Sequence, residues 1–118
     1  MGSWDLMGFG AWAIVEPATG AFAGQVSLNR PPHFPEHEIG WMLMPGFEGR
    51  GYATEAASAA RAWVYQNLGW TTAVSYIDRD NLRSIAVARR LGCVEDTGAV
   101  PADPEDAVFR HPRPEACA

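Results

Sequence analysis

Residues 45–57, Pro45-Gly46-Phe47-Glu48-Gly49-Arg50-Gly51-Tyr52-Ala53-Thr54-Glu55-Ala56-Ala57, restrict this chain more than any other stretch, because they read as a glycine-bearing turn running straight into a helix. The first turn of a helix leaves backbone N–H groups without partners, and the macrodipole adds about half a positive charge, so a phosphate can dock there without a lysine. Gly49 and Gly51 let the backbone come close. The apolar run at 39–44 has strand length and is stopped by Pro45, so the order is strand, turn, helix, an order that suits a nucleotide-like ligand. Two familiar phosphate loops fail on spacing. No Gly-Lys-Ser/Thr follows, and Gly46, Gly49 and Gly51 are spaced GxxGxG rather than GxGxxG.

The remaining segments give a coarse frame. Residues 9–16 and 22–28 are strand-like and flank Pro17-Ala18-Thr19-Gly20, which is turn chemistry and predicts a hairpin. A loop with three prolines, 29–35, cannot join a central strand, and a strand over 38–44 then leads into the turn. The spacing predicts a helix over 52–68. Its Ala53, Ala56, Ala57, Ala60 and Val64 form a stripe of small side chains that can sit close on a sheet, and Gly69 ends it. A strand over 72–77, a helix over 81–91 and strands over 93–100 and 107–111 complete an α/β mixed sheet with at least two helices. In the second helix Asp80 or Asn81 can cap the start, Leu82, Ile85 and Leu91 lie near one face, and Arg89 and Arg90 suit the negative end.

Composition narrows the function. The 118 residues make one domain, 1–118, with 47% hydrophobic and 11% aromatic residues to fill a core. All nine basic residues are Arg and the net charge is −5, which makes nucleic acid a poor partner and slightly favours cationic acceptors such as amines. Cys93 and Cys117 have no metal-ligand spacing and no secretory leader precedes them, so the reading is cytoplasmic. His33, His37 and His111 are scattered, which argues against a metal site. Met1-Gly2 is not followed by Ser or Thr at position 6, which is Leu6, and no membrane signal remains.

Two ordered motifs carry a resemblance to a known family. Glu48-Gly49-Arg50-Gly51-Tyr52-Ala53 resembles the pyrophosphate loop Q/R-x-x-G-x-G/A of the GNAT superfamily of acyl-coenzyme-A-dependent N-acetyltransferases, with Glu48 where Gln or Arg is usual. Asn81-Leu82-Arg83-Ser84-Ile85 through Leu91-Gly92-Cys93 resembles that family's later helix, N-x-x-[SA]-I-x-x-x-x-x-L-G-F. The run Gly-Arg-Gly-Tyr-Ala-Thr-Glu-Ala is similar to the branch containing the ribosomal-protein N-terminal acetyltransferases. The likeness covers about residues 8–111. It implies a mostly antiparallel sheet flanked by helices, in which neighbouring central strands splay apart to admit the pantetheine arm. Domains of that family usually begin with a further strand and two helices that wall the acceptor site. About eight residues precede the first strand here, so the resemblance implies an N-terminally truncated domain whose exposed apolar surface would favour a homodimer.

The resemblance also implies the chemistry: an amine attacks the thioester carbonyl of acetyl-coenzyme A, with no metal. It places the donor against Gly49, Arg50, Gly51, Tyr52, Ala53 and Thr54 of the turn, against Asn81, and against the strand end at Met42, Leu43 and Met44. There, backbone N–H groups near Leu43 and Met44 would orient the acetyl and pantetheine carbonyls. A free amine of pKa ~10 must lose a proton, and Glu38, at the start of that strand, is the candidate base. Many members place a tyrosine acid seven residues after the helix asparagine, but that position is Ala88. Ser84, three residues after Asn81, matches the serine that the ribosomal-protein branch is thought to use near the sulfur, so the resemblance implies it as the candidate acid, with Tyr52 and Tyr76 as fallbacks. Two readings follow: an acetyltransferase acting on a primary amine, such as a protein N-terminal amine or a small molecule, and a truncated or regulatory module that holds acetyl-coenzyme A without turnover.

Overall fold

The computed structural model describes residues 11–29, 35–49 and 51–117. Strands β1 (Ala11–Val15), β2 (Phe22–Asn29) and β3 (Glu38–Leu43) precede α1 (Tyr52–Asn67). Then follow β4 (Val74–Asp78), α2 (Leu82–Arg90), β5 (Val94–Glu95), β6 (Asp106–Arg110) and the short α3 (Pro114–Cys117). The six strands form one sheet in the order β1-β2-β3-β4-β6-β5. The mixed α/β sheet with flanking helices is the architecture expected from the sequence, and the β1–β2 hairpin closes through Glu16 N–H donating to Ala21 O at 2.9 Å.

All neighbouring strands are antiparallel except β3 and β4, which run parallel and register at a single pair, Glu38 with Val74. Beyond that pair the strands part. Val74 N–H donates to His37 O at 3.0 Å, and the Ser75 hydroxyl donates to Ile39 O at 2.5 Å, so a side chain takes over where the backbone ladder stops. The sheet is thus two antiparallel blades, β1-β2-β3 and β4-β6-β5, joined at one end.

α1 lies across this sheet on the small stripe predicted for it: Ala53, Ala56, Ala57, Ala60 and Val64 are all buried. Small side chains bring the helix axis close to β2 and β3, and Val26, Ile39, Val64, Ile77 and Phe109 join the α1 alanines in one buried core cluster. α2 buries Ala88, with Leu91 buried just past its end, but Leu82 is 73% exposed and does not join that face. Arg89 and Arg90 occupy the last turn of α2, where cations oppose the helix dipole.

Two strands differ by more than one residue at a boundary from the sequence reading. The strand expected over 93–100 is only Val94–Glu95, because Asp96 turns the chain: its Oδ1 accepts from Gly98 N–H at 3.2 Å and its carbonyl from Ala99 N–H at 3.3 Å. β4 starts at Val74 rather than at residue 72, because ladder pairing on both sides begins there; the Thr72 hydroxyl accepts from Arg110 at 2.8 Å. Residues 9 and 10, the expected start of the first strand, and the prolines at 31 and 32 lie outside the described residues. Among the described residues no helix is long and apolar enough to cross a membrane.

Candidate functional site

The gap between the blades opens into two clefts. The smaller, about 240 Å³, is bordered by Glu38, Gly40, Ser75, Tyr76 and Asp78, among others. The larger, about 550 Å³, runs between the turn before α1 and the flank of α2, with Leu43, Glu48, Gly49, Ala53, Arg83 and Arg90 in its wall. Trp41, Met42, Asn81 and Ser84 border both, so the clefts meet across these four residues.

The turn is built as its glycines require. Gly49 and Gly51 both stand at φ 78, a left-handed conformation that side-chain-bearing residues rarely adopt, and Gly51 is the N-cap of α1. No side chain caps that helix, which leaves its first N–H groups for another acceptor. Inside the first turn the Thr54 hydroxyl oxygen is buried without a hydrogen-bond partner, as is the Trp41 indole N–H in the wall shared by the clefts. Buried polar atoms left unpaired cost about 1–3 kcal/mol, and these two lie near the clefts, Trp41 bordering both and Thr54 next to the cleft-lining Ala53.

β3 supplies the floor. Met44 N–H donates to Ala23 O at 2.8 Å, and an antiparallel pair alternates which residues face the partner. The expectation that the Met44 N–H orients a ligand carbonyl therefore does not hold, because that donor is committed to β2. By the same alternation Trp41 and Leu43 turn their N–H groups toward the gap, as Ile39 turns its carbonyl toward Ser75.

Glu38 is buried, 6% exposed, rather than an open strand residue. Its Oε1 accepts from Asn29 Nδ2 at 2.7 Å and its Oε2 from Tyr76 N–H at 3.1 Å. Burial pushes its carboxyl above the usual range, and the two donors offset only part of that. Two residues along, Gly40 keeps the space open: a Cβ there would lie 2.8 Å from Ser27 Oγ and 3.5 Å from Glu38 Oε1.

Behind the gap a hydrogen-bonded chain fixes its geometry. Arg61 Nη1 lies 3.2 Å from His111 Nδ1, and His111 Nε2 lies 2.8 Å from Ser75 Oγ, the hydroxyl that reaches Ile39 O. Since Arg61 only donates, Nδ1 accepts and Nε2 carries the proton. His111 is 2% exposed, and burial, with the Arg61 charge, pushes its pKa down to about 3, so it is neutral in this chain.

The structure brings Met42, Leu43, Gly49, Ala53, Asn81 and Ser84 together around the larger cleft, with Glu38 across the gap in the smaller one. Asn81 is the N-cap of α2, its Oδ1 accepting from Ser84 N–H at 3.2 Å, so one side chain both starts the helix and sets Ser84 at the crossing. Tyr52 is directed elsewhere, donating its hydroxyl to Glu16 Oε2 at 3.1 Å. Tyr76 borders the smaller cleft, its hydroxyl accepting from Glu36 N–H at 3.0 Å. Arg50 lies outside the described residues. Sequence reasoning missed Trp41 and Gly40. A glycine inside a strand pattern signals close approach and could have flagged the latter. Among the described residues no three His, Cys, Asp or Glu side chains gather as a metal site.

Comparison with known proteins gives a consistent result. The family model described as "Acetyltransferase (GNAT) domain" matches residues 2–94. The crystal structure of an acetyltransferase from Agrobacterium tumefaciens is 47% identical, with a TM-score of 0.83 over 91% of this chain and 63% of its own. A putative ribosomal-protein-serine acetyltransferase from Vibrio cholerae shares the fold at 23% identity, with a TM-score of 0.72 over 88% of this chain and 63% of its own. YnaD, an uncharacterized N-acetyltransferase of Bacillus subtilis (strain 168), is 31% identical over 62 residues, 51% of this chain and 36% of that protein. The chain thus spans less than two thirds of the length of each.

Proposed function

This chain belongs to the GNAT acetyltransferase domain family, and from that premise we propose that it transfers an acetyl group from acetyl-coenzyme A to a primary amine. The observation that carries the reading is the meeting of the two clefts at Trp41, Met42, Asn81 and Ser84, one beside an uncapped helix N-terminus and the other holding a buried carboxylate.

On this reading the larger cleft takes the donor. The turn's N–H groups and Thr54 hydroxyl hold its phosphates, and the N–H groups of Trp41 and Leu43 meet the carbonyls of the arm. The acceptor amine enters the smaller cleft. Glu38, its carboxyl lifted by burial toward the working pH, removes the proton as the amine nitrogen bonds to the thioester carbon. The carbon–sulfur bond then breaks, and the Ser84 hydroxyl passes a proton to the departing thiolate as it takes one back from solvent, while Glu38 returns its proton to solvent. The finer reading, a protein N-terminal amine as acceptor, is supported by the Gly-Arg-Gly-Tyr-Ala-Thr-Glu-Ala run. A cytoplasmic setting suits the acetyl-coenzyme A supply, and a homodimer would cover exposed apolar side chains such as Phe22, Trp63 and Leu68.

Thermal unfolding against acetyl-coenzyme A and coenzyme A, with ATP and NAD as controls, tests the donor. At about 100 times the dissociation constant the folded state gains ~2.7 kcal/mol, a rise of several degrees for a domain of this size. A rise with both coenzyme A forms alone supports the reading, and no rise from a cooperatively folded sample overturns it.

A further inference from the structure

Glu48 places a negative charge in the wall of a cleft otherwise suited to phosphate. Its Oε2 accepts the backbone N–H of Gly46 at 2.8 Å, and its Oε1 pairs with Arg83 Nη1 at 3.1 Å across 35 residues of chain. Its own backbone N–H, that of Gly46 and Arg83 together hold its carboxyl below the usual range, so it is an anion at any working pH. These are the kinds of contact a phosphate makes: a backbone N–H of the glycine turn and a guanidinium. Arg83 comes from α2, and Arg90, seven positions on and so on the same side of the helix, borders the cleft with it.

We infer that the Glu48 carboxylate is a resident anion of the donor cleft, occupying the Gly46 N–H and Arg83 until the donor's phosphate displaces it, and that it thereby sets donor affinity. The inference rests on the donor reading above. Two anions cannot share one N–H group and one guanidinium without repulsion at contact distance. The ion pair is open to solvent, with the Arg83 side chain 77% exposed, and pairs of that kind contribute little to folding, so it is readily surrendered. Arg83 then turns from Glu48 to the phosphate, which makes it a reader of phosphate on the donor rather than a surface charge.

The test is calorimetric titration of the full chain and of Glu48→Gln, Arg83→Ala and the double variant, with coenzyme A and with pantetheine, which has the arm but no phosphates. Glu48→Gln is expected to tighten coenzyme A about two- to five-fold and to leave pantetheine unchanged. Arg83→Ala is expected to weaken coenzyme A, and in that background the gain from Glu48→Gln shrinks. Equal or weaker binding of coenzyme A by Glu48→Gln overturns the inference, as does an equal gain with pantetheine or an undiminished gain in the Arg83→Ala background. If the wild-type chain fails to bind coenzyme A at all, the donor reading itself falls. Failure of the inference alone leaves wild-type binding intact.

Discussion

Gly40 and Glu38 stand two residues apart on one strand and divide the work of the smaller cleft between them, one giving room and the other charge. Gly40→Ala places a methyl group 2.8 Å from Ser27 Oγ and 3.5 Å from the Glu38 carboxylate, which narrows the smaller cleft, the one proposed for the acceptor, and leaves the larger cleft untouched. Acetyl transfer should fall roughly ten- to a hundred-fold while calorimetric affinity for coenzyme A stays unchanged. Glu38 has a carboxyl raised above 4.5 by burial, so turnover should decline on acidification through a limb lying above the ordinary carboxylate range. Glu38→Gln should lower transfer by about a hundred-fold or more and abolish that limb in the pH–rate profile. A profile unchanged by the substitution would remove Glu38 from the reaction.

Among the elements, α1 shows how much can be read from spacing alone. Its stripe at 53, 56, 57, 60 and 64 was legible because helical periodicity and small size together leave one way to pack. Ala57 is fully buried, and Ala57→Leu should lift the helix from the sheet at a cost of about 1–3 kcal/mol, measured by urea unfolding. Because the turn before α1 moves with the helix, coenzyme A affinity should fall in the same variant. The segment at 93–100 was misread for an equally local reason, since its β-favouring residues surround an Asp-Thr-Gly turn whose side-chain bond ends the strand. Leu82 illustrates a further limit: periodicity assigns it a face, yet it is the first residue of α2 and gains no packing partner there.

For the molecule as a whole, pH dependence of stability reports on the chain that runs through His111. Its pKa falls from 6.5 to about 3 on folding, so between those values the unfolded chain takes up a proton that the folded chain does not. Stability is therefore fully present above about 6.5 and is lost as pH falls. At pH 5 this group alone should cost ~2 kcal/mol relative to pH 8. Glu38 acts in the opposite sense over its own window, because a carboxyl raised on folding loses stability as pH rises from 4.5 through its folded value. Comparing the wild type with His111→Gln by urea unfolding at pH 5 and pH 8 isolates the histidine, and the variant should show the flatter dependence. None of this was visible in the sequence, where His111 is an isolated residue 36 positions from Ser75 and 50 from Arg61. The glycine turn and the capped second helix were legible because each is written in consecutive residues. The gap was not, because it arises from strands that meet only once.

That single meeting of β3 and β4 has a consequence for how the fold breathes. In most sheets the central amides are the slowest to exchange with deuterium, since ladders protect them from both sides. Here Trp41 and Leu43 sit mid-sheet yet face a gap, so their amides should exchange on the timescale of a surface loop while those of Val26 and Val108 remain protected. The middle of the sheet is thus the region where opening begins, and a ligand that fills the gap would act as the missing strand.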